Sequence, residues 1–182
     1  TAIIAKPSQA YSEKDKFIID QFVMNGGRVL WFMDGVSTSM DSLVTAPVTM
    51  GIPLDNNLDD QLFKYGVRIN KDLVQDVQSG LIPLNTSIVG SSPKWELFPW
   101  IYFPLIMPNV DHPIVSNLNA IKCEFASSLD TVFAYGINKT ILLKTSNHAR
   151  KVTAPVKISL ELIKNLPDED LFTDPGTPIA VL

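Results

Sequence analysis

Residues 24–35 read MNGGRVLWFMDG: a glycine pair, an apolar run and a closing Asp34-Gly35. What lies on either side of the glycines decides how the first third of the chain folds. Upstream, Ala2-Ile3-Ile4-Ala5 is a short continuous apolar run that stops at Lys6-Pro7, the pattern of a buried strand. Ser12 is a good helix N-cap, and Glu13 and Asp15 follow in the first turn, where the helix dipole favours acids. Phe17, Ile18, Phe22 and Val23 supply one apolar helix face, and Asn25-Gly26 suits a left-handed C-cap. Arg28 to Met33 is the next strand. Strand, helix, strand with short links predicts a right-handed parallel βαβ unit.

That order removes the phosphate-loop reading of the glycine pair. Phosphate loops follow a strand and precede a helix, so that N–H groups at the helix start face the anion. Gly26-Gly27 follows a helix, whose C-terminal partial charge repels phosphate. The glycines turn the chain. Asp34 stands at the carboxyl end of the second strand, where open α/β sheets place their ligands. It is therefore a candidate strand-end ligand position, beside the plainer role of Asp-Gly as a turn.

At 182 residues and 46% hydrophobic, the chain is long enough to bury a core as one domain, 1–182. The net charge is −4 and no Lys/Arg cluster occurs, which argues against a nucleic-acid partner. The single cysteine, Cys123, excludes an internal disulfide. The chain opens on Thr1 directly before a strand and stops at IAVL inside another, which reads as a fragment of a longer chain. Its most apolar stretch, LFPWIYFPLIMPNV at 97–110, carries three prolines and falls short of the roughly 20 residues a spanning helix needs.

Further along, DNNLDD at 55–60 leads into a short amphipathic helix closed by Gly66. Residues 73–77 read as a strand. Between Gly80 and Pro108 prolines and aromatics replace charges, which predicts hairpins or extended chain. Strands are expected near 121–127 and 140–144, with an alternating one at 152–160 and a surface loop at 165–178. The resulting expectation is an α/β fold of three layers around a mainly parallel sheet, flavodoxin-like, with a small β-rich aromatic and proline insertion near 80–110.

No catalytic constellation emerges. Cys123 sits in an apparent strand without a small-residue elbow, and His148 is followed by Ala149-Arg150 where an amidotransferase pattern needs His-x-Glu. His112 and His148 have no cysteine pair to complete a zinc site. Asp55, Asn57 and Asp59 alternate as calcium ligands would, but Asp60 holds the place of the loop glycine and Gly66 that of the closing Glu; N-capping accounts for them better. No cofactor or metal ligand is assigned. The aromatic segment carries the clearest contact signal: Trp95, Trp100 and Tyr102 on proline-stiffened chain resemble binding hot spots. The alternative is that they cover one open face of the sheet.

The stretches IIAKP (3–7), YSEKDKFIIDQFVMNGGRVLWFMDGV (11–36), NLDDQLFKYGVRINKDLVQDVQ (57–78), LFPWIYFPLIMPNVDHPIVSNLNAIKCEFASSLDTV (97–132) and GTPIAVL (176–182) carry a resemblance over nearly the whole chain. They resemble the GldG family of gliding-motility-associated ABC transporter auxiliary components of Bacteroidetes-type bacteria. More broadly they are similar to the auxiliary domain of uncharacterised ABC transport systems, often labelled substrate-binding, a resemblance that implies a class I amidotransferase-like α/β fold. The resemblance implies a membrane-tethered protein whose soluble part lies on the periplasmic, extracytoplasmic face of the cytoplasmic membrane. Its anchoring segments would lie outside this piece. Implied partners are an ABC permease subunit and, through it, a cytoplasmic ATPase. The implied role is non-enzymatic, through protein contact or ligand capture. The alternatives are a free-standing solute- or glycan-binding module and an amidotransferase-like hydrolase.

Overall fold

A computed structural model describes residues 1–87, 92–108 and 111–182, Thr45 without its side chain. The first unit has the expected form. Strand β1 (Ala2–Ala5), helix α1 (Glu13–Met24) and strand β2 (Val29–Phe32) make a βαβ in which β1 and β2 pair in parallel, Ala2 against Val29 and Ala5 against Phe32. Ser12 Oγ accepts the Asp15 N–H while the Asp15 carboxylate accepts the Ser12 N–H, a complete capping box. At the other end Gly26 lies at φ +84°, and Gly27 packs so closely on Phe22 that a Cβ there would meet the Phe22 carbonyl oxygen at 2.5 Å.

The remaining elements are β3 (Val36–Ser37), α2 (Met40–Thr45), β4 (Val48–Pro53), α3 (Asp59–Lys64), β5 (Val67–Ile69) and β6 (Asp72–Asp76). A long hairpin follows, β7 (Ser79–Asn85) and β8 (Trp95–Ile106). Then come β9 (Ile121–Lys122), β10 (Leu129–Thr131), β11 (Ile141–Lys144), β12 (Ala149–Thr153), β13 (Val156–Ser159) and β14 (Pro178–Val181). Their pairings, β10 with β5, β11 with β14, β12 with β6, β13 and β3 with β4, and β8 with β7 and β9, are all antiparallel.

This overturns the expected three-layer, mainly parallel α/β architecture: the described residues form a mostly β fold of small antiparallel sheets with one parallel pair. The physical reason lies in the connections. A parallel crossover needs a dozen or more residues, usually a helix. After β2 the helices α2 and α3 are only six residues long, and two-residue links join β5 to β6, β6 to β7 and β12 to β13. Such chain can only reverse or cross to another sheet. Nor is the 80–110 region an appendage, because β8 from Trp100 onward is a spine of the core. The 88–91 part of that expected insertion and its end at 109–110 lie outside the described residues. The expected strand at 121–127 shortens to Ile121–Lys122, because Phe125 takes a left-handed φ of +53° and ends the extended run.

The core gathers Trp100, Ile101, Tyr102 and Phe103 of β8 with Leu73, Ile82, Val36, Phe125 and Ile158. Phe103 meets Phe125 edge-on at 5.1 Å between ring centroids, and Trp100 tilts against Tyr102 at 5.4 Å. Buried carboxylates at the two ends of β6 tie loops onto this core. Asp72 accepts the N–H and hydroxyl of Ser128 at 2.8 and 2.6 Å, and Asp76 those of Ser146 at the same distances.

Helix α1 departs from its predicted orientation. Its inward side is Lys16, with Ile19, Asp20 and Val23 half-buried, while Phe17, Ile18 and Phe22 are exposed. The cause is a polar seam to α3: Lys16 Nζ bridges Asp60 at 2.7 Å and Glu13 at 3.0 Å, Gln61 Nε2 donates to the Lys16 carbonyl, and the Tyr65 hydroxyl donates to Asp20. The continuous buried strand expected at 2–5 likewise alternates. Ile3, Leu30 and Phe32 stand on one outward face of the β1–β2 pair.

Candidate functional site

Two places collect the residues singled out by sequence: an outward face of the β7–β8 hairpin and a cleft at the carboxyl ends of β1 and β2.

In the hairpin, Leu81 pairs with Pro99, Pro83 with Leu97 and Asn85 with Trp95. Side chains of paired residues share a face, and alternation sends every second pair the same way. These six therefore form one surface, and it is the outward one: Trp95 is 65% exposed, Leu97 63% and Leu81 51%. The opposite face carries Ile82, Leu84 and Phe98 toward the core. Lys94 and Glu96, which flank Trp95 in sequence and alternate away from its face, pair with each other at 2.7 Å. Pro83 and Pro99 add rigid apolar surface and contribute no N–H.

The three aromatic candidates are divided by this geometry. Trp95 stands on the exposed face. Trp100 and Tyr102 are buried, fully and almost fully. Burial pushes the Tyr102 phenol up, and a hydrogen bond with Gln75 partly opposes that shift. Alternation holds only as far as Pro99, with Trp95, Leu97 and Pro99 outward; from Trp100 to Pro104 every residue is buried whatever its parity, so spacing alone could not have separated the three. The same period of two would have found Leu81, Pro83, Leu97 and Pro99, which the aromatic count overlooked.

At the second place, β1 ends at Ala5 and Lys6 turns out of the sheet with φ +46°, its N–H still bonded to the Phe32 carbonyl at 2.8 Å. Lys6 Nζ then lies 3.6 Å from Asp34 Oδ2 at the end of β2. Gly35 is required next, because a Cβ there would lie 2.2 Å from the Asn70 carbonyl oxygen. Its N–H donates to Ser127 Oγ, which docks the strand end against the 125–128 loop. The walls are Lys6, Asp34, Val36, Thr38, Ser39, Met40, Asp41, Glu124 and Phe125, around a cavity of about 220 Å³. Asp34 thus stands just past the end of β2, in the wall of this cavity.

The other chemistry-bearing residues stay apart from both places. Burial raises the Cys123 thiol above its ordinary value, away from thiolate reactivity. His112 Nδ1 accepts the Ile114 N–H within a turn, and His148 is exposed before β12. In the 55–60 loop Asp55 accepts the Asn57 N–H, so it shapes the turn, and the N-cap of α3 is Leu58, which makes no side-chain cap. Asp59 and Asp60 instead bind Lys71 and Lys16. That corrects the N-capping account of this loop.

Compared with known proteins, residues 1–182 match the sequence profile of a family described as ABC-type uncharacterized transport system. No curated protein and no solved structure matches the chain.

Proposed function

Because the chain belongs to the family of ABC-type uncharacterized transport systems, we propose that it is a non-enzymatic accessory component that works by protein contact through the outward face of the β7–β8 hairpin. The observation that carries this reading is the continuity of that face. Trp95, Leu97 and Leu81, joined by Pro83 and Pro99, present rigid apolar surface on a two-stranded frame already anchored in the core. Exposed apolar patches of this kind mark interaction sites, and a backbone held extended loses little entropy on docking.

In the finer form of the proposal, the domain lies on the periplasmic face of the cytoplasmic membrane and meets an ABC permease subunit, which links it to a cytoplasmic ATPase. A role in gliding motility, as in GldG-type components, is the most specific version. The test is co-purification of the full-length protein with its membrane partners from the native cell, with Trp95→Ala and Leu97→Ser introduced together. The expected result is loss of permease recovery with an unchanged melting temperature. Full recovery by the double variant would remove the hairpin face from the contact. Motility of a strain carrying the variant decides the gliding role separately.

A further inference from the structure

We propose that the cleft at the ends of β1 and β2 binds a single small sugar ring of neutral or positive charge, an aminosugar best of all. It lies apart from the hairpin contact and does not depend on it. Four features meet there. The cleft sits at the carboxyl ends of the one parallel strand pair among the described residues, the position at which such sheets hold ligands. Two of the three non-glycine residues with left-handed φ among the described residues, Lys6 and Phe125, stand in its walls. Backbone strain of this kind gathers at binding sites. Thr38 lines the same cleft, and its hydroxyl oxygen is buried without a hydrogen-bond partner. The cavity, about 220 Å³, is smaller than sites for drug-sized ligands and suits one ring.

The wall chemistry selects the class. Asp34, Asp41 and Glu124 are acceptors, Lys6 is a donor, and Ser39 and Thr38 carry hydroxyls that do either. Sugar hydroxyls answer both kinds of group, and Val36, Met40 and Phe125 offer apolar wall to the C–H face of a ring. Against the three carboxylates stand Lys6, 3.6 Å from Asp34, and Lys122, 2.8 Å from Glu124. An excess of negative charge remains. It repels phosphorylated or carboxylated sugars and attracts an ammonium substituent.

The experiment is titration of the chain with D-glucosamine, D-glucose and D-glucose 6-phosphate, followed by calorimetry and by saturation-transfer NMR. Expected is saturable binding in the order glucosamine, glucose, glucose 6-phosphate. Asp34→Asn should weaken glucosamine at least about tenfold, and Thr38→Val, nearly the same shape without the hydroxyl, should weaken both binders. Trp95→Ala should leave binding unchanged. No saturation by any of the three up to about 10 mM, glucose 6-phosphate as the tightest ligand, or binding indifferent to both cleft variants would each overturn the site.

Discussion

Trp100→Ala tests the division of the aromatic segment, and its magnitude follows from two opposed features of one side chain. Trp100 is completely buried, in contact with the Tyr102 ring, and part of the hydrophobic core cluster. Truncating a buried aromatic costs about 3–5 kcal/mol through lost transfer energy and the cavity left behind. Its indole Nε1 is buried without a partner, however, and deleting that orphaned donor returns about 1 kcal/mol of desolvation. The net expectation is about 3 kcal/mol. For a chain of this length that lowers Tm by roughly 6–12 °C. Trp100→Phe removes the N–H and keeps most of the ring, so it should cost less than half as much. Trp95→Ala, at a position 65% exposed, should move Tm by no more than about 2 °C. Thermal unfolding followed by far-UV circular dichroism reads all three. If Trp100→Ala and Trp95→Ala are equally mild, or if the Phe variant is as damaging as the Ala variant, the account of β8 as a strand with one wet and one buried half is wrong.

At the α1 C-terminus, Gly26→Ala meets no atom within 4 Å and should cost only the left-handed backbone penalty, about 1 kcal/mol. Gly27→Ala drives a Cβ into the Phe22 carbonyl and should cost more, so urea midpoints in the reverse order would refute the packing described for this turn. Acid titration probes the α1–α3 seam. The Lys16 ammonium, by hydrogen bond, holds the Glu13 and Asp60 carboxyls below their ordinary values. A depressed carboxyl stabilises the fold above its unfolded pKa, and that contribution disappears as pH falls through the folded value. The Tm advantage of wild type over Lys16→Met should therefore be full at neutral pH and shrink below about pH 4; an advantage constant from pH 7 to pH 2 would show that the seam is not electrostatic. Cys123, raised by burial, should react with a thiol reagent at neutral pH far more slowly than the unfolded chain does, and equal rates would place it at the surface.

Sequence alone determined what neighbours in the chain can decide. The Ser12 cap, the left-handed Gly26, the turn at Gly66 and the parallel pairing of β1 with β2 depend on local φ/ψ, a few hydrogen bonds and one short crossover. The hairpin character of the proline-rich segment was legible for the same reason, and so was Asp34 at a strand end. Extending one βαβ unit into a whole parallel sheet failed because topology after β2 is set by connections too short to cross over. That information sits in the links, not in the strands they join. Only tertiary structure decided that the polar seam of α1 faces inward while Phe17 and Phe22 face out, since Asp60 and Gln61 arrive from some 45 residues away to meet Lys16. The same holds for the cleft. Lys6, Asp34 with Thr38, and Glu124 come from three separate points of the chain, and no spacing rule joins residues brought together by the packing of a loop against a strand end.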